Sequence, residues 1–137
     1  MKKIHSTNYF DTFIEVAEDT QRDSGTKPPA KDRKTIAEMQ YDYIAAYPYQ
    51  YTSDDVLFRV FADRKNLTKA EQEEARKEFF SKGQPCFRAS PLTKMYGFGI
   101  HCNSEGKIAL YGMETEDYQK FVADPKVKKV KAMKSRK

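Results

Sequence analysis

The residue types that usually carry a mechanism are scarce in this sequence. Its 137 residues include two cysteines, Cys86 and Cys102, and two histidines, His5 and His101. Two cysteines are too few for a disulfide framework and read as free thiols in a reducing compartment. A structural zinc needs three or four converging ligands. Here the soft ligands are Cys86, Cys102 and His101, and the last two, adjacent on an expected strand, point to opposite faces. Neither a metal nor a cofactor is expected. A glycine-rich phosphate loop is missing too, since Gly97 and Gly99 begin a GxG but lack the third glycine and the helix after it. No apolar run is long enough to span a bilayer, and the start MKKIHSTNYF has no apolar signal-peptide core. The expected setting is cytoplasmic, without a membrane partner.

Acidic residues are absent from the last twelve positions. KVKKVKAMKSRK (126–137) carries seven Lys/Arg, which leaves 18 basic against 20 acidic side chains in residues 1–125. The overall charge of +5 is therefore the property of a tail on a mildly acidic body. Composition and length predict one globular domain over 1–125 followed by a disordered basic tail over 126–137.

Along the chain, YFDTFIEVA (9–17) fits period two and period 3.6 about equally, and its β-branched content favours a strand. Residues 18–34 have few large apolar side chains and read as a long surface loop. Thr35 can cap a helix to Tyr47, stopped by Pro48. VLFRVFA (56–62) is nearly all apolar and reads as a central strand covered on both faces. Thr68 and Glu71 form a capping box that opens a helix to about residue 82, and Ser90-Pro91 starts one further turn. Asn103 to Lys107 fits a hairpin turn with Gly106 left-handed, setting His101 opposite Ala109 and Gly99 opposite Tyr111. In that register the Tyr111 ring would lie over Gly99, and Thr115 caps a last helix ended by Pro125. The predicted fold is α+β: one antiparallel or mixed sheet of about four strands (10–17, 56–62, 97–103, 107–113), with about three helices (35–47, 68–82, 115–124) mainly on one face.

Several candidate sites follow. Arg88, Ser90, Lys94 and His101, with Tyr111 beside them, form a candidate anion-binding group, in which Ser90 begins a helical turn and the basic side chains add charge. The bland alternative has Ser90 only capping and Arg88 pairing with Asp54 or Asp55. Cys86 with His101 is a weak candidate for thiol catalysis, without any recognised nucleophile motif around the cysteine. Of the tyrosines at 41, 43, 47, 49 and 51, Tyr43 and Tyr47 read as core, and Tyr49 and Tyr51 remain for stacking on a ligand. Lys128, Lys129, Lys131, Lys134 and Arg136 of the tail could contact nucleic acid weakly and without sequence preference.

The runs NYFDTFIEVAED, YTSDDVLFRV and GQPCFRASPLTKMYGFGIHCNSEGKIALYGMETEDYQ resemble a family of small bacterial proteins catalogued only as a domain of unknown function. The resemblance covers roughly Asn8 to Phe121 and leaves the basic tail outside it. It implies no activity, cofactor or catalytic residue. The functional expectation is a non-enzymatic cytosolic binding module for a small anionic ligand or nucleic acid. The alternatives are an enzyme using Cys86 or His101, and an adaptor for a protein partner.

Overall fold

A computed structural model describes residues 4–134. The first strand, β1 (Thr12–Glu15), is only four residues long, yet it is central to a mixed sheet. It pairs antiparallel with β2 (Phe98–Cys102), which pairs antiparallel with β3 (Ile108–Gly112). On its other edge it pairs in parallel with β4 (Lys128–Lys131), giving the order β3-β2-β1-β4. The hairpin has the register read from its turn, with His101 opposite Ala109, Gly99 opposite Tyr111 and Gly106 at φ +80°.

The helices are α1 (Ile36–Ala46), α2 (Ser53–Arg64), α3 (Lys69–Phe79), the single turn α4 (Pro91–Lys94) and α5 (Glu116–Ala123), with a 3-10 turn at Phe87–Ala89. Threonine or serine caps each α-helix: Thr35, Thr52, Thr68, Ser90 and Thr115 all accept a backbone N–H from the first turn. The fold is α+β, as expected, with two departures.

The first departure is α2, expected as a strand over 56–62. Thr52 Oγ1 accepts the Asp55 N–H and Asp55 accepts the Thr52 N–H, both at 3.1 Å, and Asp54 and Asp55 suit the positive end of a helix dipole. The strand-like composition has a packing cause. Val56 and Val60 face the main core with Ile14, Ile44, Phe87, Leu92, Ile100 and Ile108. Phe58 and Ala62 face a second cluster with Phe80, Phe61, Ala75 and Phe79. A helix wedged between two clusters is apolar on two flanks, so its buried positions 56, 58, 60 and 62 imitate the alternation of a strand.

The second departure is the C-terminal run, expected as a disordered tail. Lys128 N–H donates to Asp11 O (3.0 Å), Ala132 N–H to Glu15 O (2.9 Å) and Met133 N–H to Arg88 O (2.7 Å), so residues 128–133 are stitched to the sheet and to the 3-10 turn. Val130 packs against the main core, and Ala132 is buried.

Because β3 and β4 run parallel at opposite edges, the chain between them crosses the whole sheet, and α5 is the crossover. It covers the face opposite α1 and α2. Phe13 points into it, edge-on to Tyr118 (centroids 4.9 Å apart) and stacked on Phe121 (5.1 Å). The rings over Gly99 are therefore Phe13 and Tyr118, not Tyr111: a Cβ there would lie 2.5 Å from Phe13 Cζ and 2.6 Å from Tyr118 Cε2. Gly99→Ala should destabilise the protein by about 1–3 kcal/mol through overpacking. Gly83→Ala, whose Cβ would meet nothing nearer than His5 Nδ1 at 3.9 Å, should stay close to neutral in the same denaturant melts.

Candidate functional site

Polar groups gather against apolar walls in two places, on opposite sides of the sheet. On the α1 and α2 side a cavity of about 360 Å³ opens between α1, α2, the end of α3 and residues 84–91. Leu57 and Phe61, which α2 leaves between its two buried flanks, form one wall, and Phe79, Pro85 and Pro91 form another. The prolines have no N–H to bring to that wall, which keeps it apolar.

Five polar side chains border this space: Gln40, Arg64, Gln84, Cys86 and Ser90. Arg64, the last residue of α2, is exposed and makes no ion pair among the described residues. Ser90 is buried; its Oγ accepts the Leu92 N–H at 3.1 Å and donates to Gln40 Oε1 at 2.6 Å. Thr93 Oγ1 donates to Phe87 O at 2.6 Å and anchors the same segment from within. The half-buried Cys86 Sγ lies 3.5 Å from the Tyr9 hydroxyl. Burial, and then Cys86 itself, push the Tyr9 hydroxyl above its usual range. Burial also pushes the Cys102 thiol up to about 12, with Cys86 adding to it.

On the other side, beneath α5, His101 Nδ1 lies 2.9 Å from the Tyr49 hydroxyl, which lies 2.7 Å from the Tyr111 hydroxyl. The imidazole stacks on Phe121, centroids 4.2 Å apart and planes 18° off parallel. Burial holds its pKa below the ordinary value, against the opposing pull of Asp11 and Asp124. Tyr49 is raised by burial first and by its bond to Tyr111 second. It reaches this position with φ at +59°, in the left-handed region that a bulky side chain rarely occupies. Its N–H, donating to Ile108 O at 2.8 Å, helps to hold it there.

The residues read as one anion-binding group are therefore dispersed. Ser90 spends its hydroxyl on Gln40 and Leu92, and Arg88 Nε donates to Lys131 O at 2.7 Å rather than pairing with Asp54 or Asp55. Asp55 pairs instead with Arg76, and Asp54 accepts from Ser6 and Thr7. Lys94 closes α4, while His101 and Tyr111 face α5. Cys86 and His101 do not meet either, since the sheet lies between them: Cys102 points toward Cys86, and its neighbour His101 points the opposite way. Tyr47, expected in the core, is half exposed, and Tyr43 donates to Asp63 while burial and that bond push its hydroxyl up to about 12. Tyr51 lies under the guanidinium of Arg59, 4.9 Å from its ring centroid.

Among the basic residues, Lys131 and Lys134 both pair with Glu18, lowering its pKa, and Lys129 donates to Asp124 O. Lys128 is exposed, and Arg136 lies outside the described residues. Among the described residues no three His, Cys, Asp or Glu are placed to hold a metal ion, and no helix is long and apolar enough to cross a membrane. Gln40 and Arg64 were not legible as site residues. Recognising α2 from the Thr52–Asp55 capping box would have put Leu57, Phe61 and Arg64 on one helical side.

Residues 4–137 match the profile of a family described as of unknown function, DUF6157. The chain belongs to that family. The match takes in the basic C-terminal run, which sequence resemblance had left outside, in accord with its place in the sheet. No curated protein and no solved structure matches the chain.

The depressed pKa of His101 gives folding a pH signature. An unfolded histidine takes up its proton near pH 6.5, and the folded one resists it to lower pH. The contribution is thus complete above about 6.5 and is lost as pH falls below that value through the lower folded pKa. Denaturant midpoints measured from pH 8 to 5 should fall more steeply for the wild type than for His101→Gln.

Proposed function

We propose that this protein is a non-enzymatic binding module for a small anionic ligand with an apolar body, held in the cavity beside α2. The observation that carries the reading is an arginine without a carboxylate partner among the described residues, Arg64, bordering a cavity of about 360 Å³ whose other walls are mostly apolar. That volume is within the range of small-molecule sites, and a guanidinium at the rim offers an anion paired hydrogen bonds while apolar walls take up the rest of the ligand. The anion partner expected from sequence is retained, and the residues assigned to it change from Arg88, Ser90, Lys94, His101 and Tyr111 to Arg64.

The enzyme alternative has less support, because Cys86 has a tyrosine hydroxyl beside it rather than the imidazole that would activate it. The nucleic-acid alternative is weakened by the engagement of Lys129, Lys131 and Lys134 with Asp124 and Glu18. Two free thiols accord with a reducing cytosolic setting.

Anilinonaphthalene sulfonate, an aromatic body with one fixed negative charge, is a suitable probe. Its fluorescence should rise saturably with the native protein, and Arg64→Ala should weaken binding about tenfold or more, the loss expected of one charge-assisted contact. Bound probe should also slow iodoacetamide alkylation of Cys86, while Cys102 stays unreactive until unfolding. Unchanged affinity in Arg64→Ala, or alkylation of Cys86 indifferent to the probe, would place the ligand elsewhere.

A further inference from the structure

The cavity has a second recognition element in Gln40. Its side chain is 4% exposed, and its orientation is set from one side. Ser90 Oγ accepts the Leu92 N–H on one lone pair and donates its own hydrogen to Gln40 Oε1. With Oε1 fixed as the acceptor, Nε2 is left with two hydrogens and no acceptor among the described residues. It is not sealed in: Gln40 Nε2 is not among the fully enclosed, unbonded side-chain atoms of the described residues, so it keeps contact with open space. The amide thus opens onto the space that Gln40 lines. Arg64 also offers only N–H donors, and Gln84 commits its own Nε2 to Phe79 O at 2.7 Å.

We infer that Gln40 is the specificity-determining residue of this cavity and that the ligand class is an apolar carboxylate carrying a carbonyl acceptor. The inference rests on the reading of the cavity as the binding site. The carboxylate meets Arg64 at the mouth, the apolar body lies on Leu57, Phe61 and Phe79, and the carbonyl oxygen accepts from Gln40 Nε2. A ligand of the same shape without that oxygen displaces water from the amide and leaves it unpaired, and this asymmetry is the source of discrimination.

The test uses a matched pair of probes, 4-benzoylbenzoate and 4-benzylbenzoate, which differ only in a carbonyl in place of a methylene. Calorimetric titration of the wild type should favour the ketone by about tenfold, the difference expected of one buried hydrogen bond. Gln40→Leu, or Gln40→Met should the leucine variant fail to fold, should bind the two probes alike, with affinity for the benzyl compound retained. Arg64→Ala should weaken both and keep their ratio. Irradiated benzoylbenzoate should crosslink to the cavity walls on α1 or α2; crosslinks confined to other surfaces would overturn the inference. Equal affinity of the wild type for both probes would overturn the role of Gln40 and leave the cavity reading standing. Failure of the wild type to bind either would remove the cavity reading and this inference with it.

Discussion

The structure depends on the double pairing of β1, a strand of four residues flanked on both edges. Its alternation puts Ile14 into the core shared with α1 and α2, and Phe13 under Tyr118 and Phe121 on α5. Both side chains are almost wholly buried, so one short strand joins the two layers of helix. A slip of one residue would exchange them, putting an aromatic ring where Ile100 and Ile108 leave room for a branched aliphatic chain. The β1 partners hold that register: β2 through Thr12 opposite Cys102, and β4 through Thr12 opposite Lys128.

What could be read from the sequence was whatever local chemistry decides. The hairpin register followed from one glycine in a left-handed turn, and the starts of α1, α3 and α5 followed from their threonine caps. What could not be read depended on what lies across from a segment. VLFRVFA is helical because two separate clusters receive its two flanks, and composition alone does not distinguish that from a strand covered on both faces. KVKKVKAMK looked like solvated charge because its apolar positions are few. Val130 and Ala132 are spaced as on one face of a strand, and the lysines around them are the usual protection of a sheet edge.

The candidate site shows the same division more sharply. Cys86, Ser90 and Arg88 are close in sequence, yet their polar atoms are turned toward Tyr9, Gln40 and Lys131, which come from distant segments. Ser90 has its hydroxyl committed to Leu92 and to Gln40, whose side-chain oxygen it holds. Arg64 was invisible as a candidate site residue because what marks it is the lack of an ion pair among the described residues, and that is a fact of three-dimensional placement. The histidine that seemed the more chemical residue is instead bound into a stack and a chain of hydroxyls beneath α5.

The parallel pairing of β1 with β4 has a consequence for how the protein is made. Its two strands come from opposite ends of the chain, so the central strand gains its second partner only after residues 128–131 have been synthesised. Until then β1 exposes an unpaired edge, and the crossover helix has no strand to deliver. The contacts that complete the sheet span most of the described residues, which slows folding and leaves completion of the sheet to its last-made strand. A nascent chain stalled before Lys128 would present to chaperones and proteases an open edge that the finished protein closes.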